Sequence, residues 1–262
     1  MRIVVCMKQV LDPEAPVSSF KIDSEERKVI SLEGTPPVLN PYDENALEAA
    51  LRIKDTQEAE VIVISMGQKL AQPVVKKSLA AGADSLVLLE DVIFDELDSY
   101  STAAILAAGI RKLGEYDLIF CGRQAADTDA GQVGSGIAEI LGIPSITVAR
   151  KIEVNGEKIM VERVISDGYQ VIEAPIPALV TFSSELGDLR SATMAAILAA
   201  RKKEVTIWNA EELGVNPTDM KRTKLVRLYQ PVHEGHCEFI EGETAEDAAV
   251  KLALKLREEK II

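Results

Sequence analysis

Four short apolar runs, Arg2–Met7, Glu60–Met66, Ser85–Glu90 and Asp117–Cys121, are dense in Val, Ile and Leu and show almost no period-two alternation. A strand wetted on one face must alternate. Runs without alternation therefore belong to strands covered on both faces, as in a parallel sheet. Helical stretches lie between them. Asn40-Pro41 opens one, with Asn40 suited to the N-cap and Pro41 to the first helical position. Behind it Leu47, Ala50, Leu51 and Lys54 recur at helical spacing. A second helix is expected near Ala71–Ala81, stopping at Gly82, and a third over roughly Tyr100–Leu113. Strands and helices in strict alternation with short linkers give a doubly wound α/β domain.

After Gly142 the pattern changes. Residues Lys151–Val164 alternate around Asn155-Gly156, a strong hairpin signal. A second turn, Ser166-Asp167-Gly168, precedes another apolar strand at Ala178–Phe182, so the sheet is expected to continue with antiparallel or irregular strands. Leu186–Lys203 is rich in small residues and basic at its end. Pro231–Ile262 is a polar stretch followed by an amphipathic helix with Ala249, Leu252 and Leu256 on one side, which reads as an arm. The expected division is an α/β domain over residues 1–230 and an arm over 231–262.

With 262 residues, 47% of them hydrophobic, the chain has the make-up of a globular protein with a sizeable core. The net charge of −13 argues against a nucleic-acid or anionic-membrane partner, yet leaves room for a single phosphate site. The N-terminal MRIVVCMKQV reads as a strand and not a signal peptide, and no apolar run approaches the ~20 residues of a membrane span. Cys6, Cys121 and Cys237 form an odd, scattered set. The first two end apolar strands, as buried thiols in a reducing cytoplasm would.

Ligands of open parallel sheets bind beyond the C-terminal ends of the strands. That rule singles out Cys6–Lys8, Ser65–Gly67 and the stretch from Gly122 onward, GRQAADTDAGQVGSG. Here Asp129 and Gln132 read as a capping-box variant for a helix with Gly131 in its first turn and Val133, Ile137, Ile140 and Leu141 along its buried side. Such a helix start offers N–H groups to a phosphate, and Arg123 adds a full charge. On this reading one of Asp127 and Asp129 caps the helix and the other faces hydroxyls such as those of a ribose. A tight, well-capped loop without ligand is the alternative, since neither GxGxxG nor a Walker A sequence is present. His233-Glu-Gly-His236-Cys237 puts three possible metal ligands, two histidines and a thiol, within five residues without a fourth at a recognisable spacing, so a solvated loop is the better reading. No Ser-His-acid set is readable, and Trp208 is expected to pack and not to stack on a cofactor. With no evident catalytic side chains, any redox chemistry would belong to a bound cofactor.

Nearly the whole chain resembles the beta subunit of electron-transfer flavoproteins. The resemblance rests on VVCMKQVLD, LNPYDENALEAALRIKD, ISMG, GADSLVLL, CGRQAADTDAGQVG and IEGETAEDAA. Most specific is VERVISDGYQVIEAPIPALVT, in which Ser166 stands where the family usually has an acidic residue. The resemblance implies a Rossmann-like sheet of the adenine-nucleotide alpha-hydrolase kind. It implies pairing with an alpha subunit that mainly holds one FAD, and electron shuttling between acyl-CoA-type or related dehydrogenases and a further acceptor. It also implies an adenine nucleotide in the beta subunit itself. Carried over residue by residue, that site comprises Cys6, then Asn40, Pro41, Tyr42 and Asp43, then Met66. It continues through Gly122, Arg123, Gln124, Ala125, Ala126, Asp127, Thr128, Asp129, Ala130, Gly131, Gln132 and Val133.

The resemblance further implies a dehydrogenase-recognition loop over about 183–204. Met194 and Ala195 stand there where the family commonly has leucine and proline. Conventional members hold AMP in the beta site, and electron-bifurcating members hold a second FAD that takes hydride from NADH. Sequences resembling AMP binders read Asn-Gln-Thr-Gly where this chain has Gly131, Gln132, Val133 and Gly134, and a lysine where it has Arg123. These differences resemble the bifurcating pattern, although Ala130-Gly131 replaces its typical Thr-Ala and Ser135 its proline. FAD is therefore expected over AMP. The competing class is a doubly wound nucleotide-binding regulatory module without a redox role, which would need no alpha subunit.

Overall fold

The four apolar runs lie side by side in the middle of a nine-stranded sheet. The computed structural model describes residues 1–32, 34–95, 97–231, 235 and 237–262. In chain order the first half comprises β1 (Arg2–Cys6), the short strands β2 (Gln9–Val10), β3 (Phe20–Asp23), β4 (Lys28–Ser31) and β5 (Val38–Leu39), then α1 (Pro41–Thr56) and β6 (Glu60–Gly67). There follow α2 (Gln72–Val75), α3 (Lys77–Ala81), β7 (Ser85–Glu90), α4 (Ser99–Leu113), β8 (Leu118–Gly122) and α5 (Val133–Leu141). The second half holds β9 (Ser145–Asn155), β10 (Lys158–Ile165), β11 (Gly168–Pro175), β12 (Ala178–Phe182), α6 (Met194–Lys202) and β13 (Thr206–Trp208). Three helices complete it: α7 (Ala210–Leu213), α8 (Pro217–Met220) and α9 (Ala245–Glu258).

The main sheet has the order β11-β10-β9-β12-β8-β1-β6-β7-β13. From β9 to β13 every neighbouring pair is parallel, and β10 and β11 extend it in antiparallel fashion. Successive residues of the central strands enter opposite cores. Ile3, Val5, Val61 and Val63 pack with α1 and α3 on one face, whereas Val4, Cys6, Ile62 and Ile64 pack with α4 and α5 on the other. This two-sided burial explains why the runs do not alternate. The chain runs from β1 outward through β6 and β7, then returns to place β8 on β1's other side. The sheet's switch point is therefore the gap between the C-terminal ends of β1 and β8, where ligands of open α/β sheets bind.

Most elements match the sequence pattern, and the exceptions have local causes. The helix expected over Ala71–Ala81 is divided at Lys76, which joins α2 to α3, and it ends at Gly82 with φ +131°. The two hairpin turns are tight, pairing Asn155 with Lys158 and Ile165 with Gly168. Val148 takes φ +61° where β9 shifts register against β10 and β12, and its N–H is drawn to Thr181 Oγ1 at 3.0 Å. Trp208 packs against the α4/α5 core with Lys112 Nζ 4.9 Å from its ring centroid. Towards the C-terminus α9 forms but buries none of its residues. His233 and His236 lie outside the described residues. Cys237 is exposed, and no three metal-ligating side chains cluster among the described residues. No helix of the described residues is long and apolar enough to cross a membrane.

Candidate functional site

Two strand ends and one helix start converge at the switch point. After β1 the chain passes Met7 and Lys8, and after β8 it enters the loop 123–132. Opposite both, α1 begins with Asn40 at its N-cap position and Pro41 in its first turn. Asn40 takes the N-cap position that the sequence predicts, but its side chain does not cap α1. Its Nδ2 donates to Gln124 O at 2.9 Å, and its Oδ1 accepts from the Ala126 N–H at 3.0 Å. The Asn40 carbonyl meanwhile accepts the N–H groups of Asp43 and Glu44. The amide is thus free to fold the loop down onto α1.

The loop is held by short-range bonds of its own. Thr128 and Asp129 donate their N–H groups to Ala125 O, and Gln124 Nε2 donates to Asp129 Oδ1 at 2.6 Å. Asp129 takes φ +51° and Gly131 φ +61°. Here the structure corrects the capping-box expectation. The helix starts at Val133, Gln132 occupies its N-cap position, and no side chain caps it. Asp129 cannot reach because the left-handed turns at 129 and 131 carry the chain away before the helix begins. Gly131 consequently precedes the first helical turn. Among the described residues no side chain caps the leading amides of α5, and N–H groups at a helix start suit an anionic group. Gly134 seats this helix start on the sheet, since a Cβ there would lie 2.7 Å from Thr181 Cγ2.

Charge is distributed unevenly over the loop. Lys8 Nζ meets both oxygens of Asp127, at 2.8 and 2.7 Å, which neutralises that carboxylate. The Arg123 N–H is fixed to Phe182 O. Its guanidinium lies 5.7 Å from the Tyr42 ring centroid and makes no ion pair among the described residues. Beneath the loop Asp43 is buried, and burial pushes its carboxyl up to about 7 against the opposing bonds from Lys8, Asn40 and Gly122. Cys6 and Cys121 are buried, unoxidised neighbours, and their mutual hydrogen bond together with burial raises the Cys121 thiol well above its usual value.

Of the expected residues, the structure gathers Cys6, Asn40, Tyr42, Asp43 and the whole of 122–133 at one sheet edge. Met66 is on the same edge but one strand over, paired with Leu89 and packed against the α4/α5 core. Met194 begins α6, 71% exposed, on a helix that packs against α3. Sequence reasoning did not find the anchor of the segment leading to α6. Buried Glu48 accepts from the Arg190 N–H, Nε and Nη2 and from Arg52 Nε, and Arg190 also grips Asp55 at 3.0 and 2.7 Å. Asn45 Nδ2 donates to Gly187 O in the same place. A polar residue on the apolar face of α1 was the available signal, because a buried Glu needs a cation.

The model of the electron transfer flavoprotein domain matches residues 28–213. The chain belongs to the electron transfer flavoprotein family. It is 42% identical to the caffeyl-CoA reductase-Etf complex subunit CarD of Acetobacterium woodii, with both chains covered in full. It is 40% identical to the electron transfer flavoprotein subunit beta of Clostridium acetobutylicum, again over the full length of both. Protein FixA of Azorhizobium caulinodans is 40% identical over 82% of this chain and 77% of its own. Within the electron transfer flavoprotein family the chain is thus of the beta-subunit type, and its role is electron transfer. The family's mostly parallel sheet with antiparallel additions is the one seen here.

Proposed function

We propose that this beta subunit holds FAD in the loop between β8 and α5 and, with an alpha subunit carrying a further FAD, passes electrons between a dehydrogenase and a second acceptor. The observation that carries the reading is the start of α5. It has no side-chain cap, it follows the left-handed Gly131, and it lies in the same loop as Arg123, which makes no ion pair among the described residues. The leading amides of α5 and the Arg123 guanidinium would receive a pyrophosphate, with Gly131 clearing space for the backbone to approach it. The Lys8 ion pair would keep Asp127 from repelling that group, and Asp127 would be the residue to face ribose hydroxyls. Asn40 holds the loop backbone in place throughout. When bound, FAD supplies the redox chemistry, taking electrons in pairs and releasing them singly.

AMP is the second reading, because the same amides would donate equally to a single phosphate. Gly131 and Val133 in place of two side-chain donors favour the longer ligand, and with it NADH-dependent electron bifurcation. The segment 183–204 is proposed as the dehydrogenase-docking loop, with Met194 as its exposed apolar anchor, and residues 231–262 as an arm on the alpha subunit. Three free cysteines, two of them buried, support a reducing cytoplasm as its place. Acid extraction of the purified heterodimer, with identification of the released nucleotides, tests the reading. About two FAD per dimer is expected. One FAD with one AMP would overturn the FAD assignment and leave single-electron shuttling. A stable monomer binding nucleotide and no alpha subunit would favour a regulatory module.

A further inference from the structure

The ladder between β1 and β8 ends at the Val5–Phe120 pair. Beyond that point β1 and β8 are no longer paired in register, and the Asp43 carboxylate takes over. Its Oδ2 accepts the Lys8 N–H at 2.7 Å, and its Oδ1 accepts the Gly122 N–H at 2.9 Å. Asp43 belongs to neither strand. It projects from the first turn of α1, so one side chain ties together β1, β8 and the helix that carries Asn40. The fit is close. A Cβ on residue 122 would lie 2.5 Å from Asp43 Oδ1 and 2.7 Å from the Tyr42 carbonyl carbon, so only glycine allows the approach.

We propose that Asp43 is a positioning residue of the nucleotide site, a carboxylate latch that joins the ends of β1 and β8 and thereby sets where the loop leaves the sheet. It is not a ligand: both oxygens are engaged by backbone N–H groups, and the residue is buried beneath the loop. A carboxylate suits this post because it offers an acceptor on each side. Asparagine has nearly the same volume but one acceptor and one donor, so it can hold one strand end and must oppose the other N–H with its own. The inference rests on the reading of the loop as a nucleotide site.

The test is Asp43→Asn in the heterodimer with its alpha subunit, at a pH well above 7 where the carboxyl is ionised. Two quantities are read: amide hydrogen exchange over residues 7–10 and 121–126, and the affinity of the nucleotide-stripped complex for added FAD. We expect exchange at Lys8 or Gly122 to quicken about tenfold, the worth of one charge-assisted hydrogen bond, and FAD to bind about tenfold more weakly. Exchange in β6 should not change. Wild-type exchange at both amides would overturn the latch. Faster exchange with unchanged FAD affinity would overturn its positioning role. Should the wild-type complex bind neither FAD nor AMP, the nucleotide reading falls while the exchange data still judge the latch. If Asp43→Asn does not assemble, Asp43→Ser, which can reach at most one of the two amides, is judged by the same outcomes.

Discussion

Asp98 and Asp43 are two carboxylates tuned in opposite directions, the first by its hydrogen-bond partners and the second by burial. Asp98 caps α4, accepting the Ser101 N–H and Oγ through Oδ1, while its Oδ2 accepts the N–H groups of Arg222 and Thr223 at 2.6 and 2.7 Å. Burial pushes its carboxyl up, but these bonds outweigh it and hold it far below the usual range. Asp98 therefore contributes stability that is present above its unfolded value and lost as pH falls towards its folded one. Asp98→Ala should cost ~1–2 kcal/mol at neutral pH and release the chain at 222–223 from α4. Urea unfolding and proteolysis at that segment would show both. Asp43 has the reverse sign, because burial raises it from 3.8 to about 7. The folded state holds its proton more tightly, so its contribution is full at low pH and declines as pH rises towards 7. The stability of Asp43→Asn relative to wild type should therefore improve between pH 4 and 7 and level off above, as urea midpoints across that range would register. A difference without slope would contradict the burial argument.

The element that organises the molecule is α1. Its first turn supplies Asn40, Tyr42 and Asp43 to the loop, and one turn later Asn45 and Glu48 hold the segment that leads to α6. Burial pushes the Glu48 carboxyl up, yet the bonds from Arg190 and Arg52 outweigh it and keep it below its usual value. Arg190→Met removes this compensation and leaves a buried carboxylate short of its main partner. We expect a loss of ~1–3 kcal/mol, less than a fully buried pair would show because Arg190 is one-third exposed. The loss should come with faster amide exchange over 186–193 and unchanged exchange in the loop after β8. Equal loosening of both regions would mean that α1 moves as a whole.

At the scale of the molecule, the arm differs from the rest. Val250, Leu252 and Leu254 of α9 are 58%, 46% and 62% exposed, and α9 buries none of its residues against the other described residues. Deleting residues 231–262 should leave the thermal midpoint of the beta chain within a few degrees of the full-length value, since none of the described residues removed is buried. Association with the alpha subunit should weaken by at least about tenfold, because ~25 cal/mol per Å² of buried apolar surface is forfeited. Calorimetry and size-exclusion chromatography report the two effects separately. An unfolded truncated chain would refute the view that the arm serves another subunit.

The fold class was legible because it depends on local period. Runs such as VIVIS lack alternation for the same reason that Ile62 and Val63 enter different cores, and turns such as Asn155-Gly156 act within a few residues. The sheet-edge rule likewise led to Gly122 and Cys6 from strand ends alone. What sequence could not decide was any bond between residues distant in the chain. Asn40 looked like a cap and instead spans 84 and 86 positions to the loop. Asp129 had the spacing of a cap, but the backbone turns at 129 and 131 moved the helix start to Val133. Asp43 and Glu48 occupy helical positions that any solvated carboxylate could fill, and only the approach of β1, β8 and Arg190 gives them partners. Periodicity determines which face of an element is buried, whereas the partner of a buried polar group is set by chain topology, which brings its donors from far along the sequence.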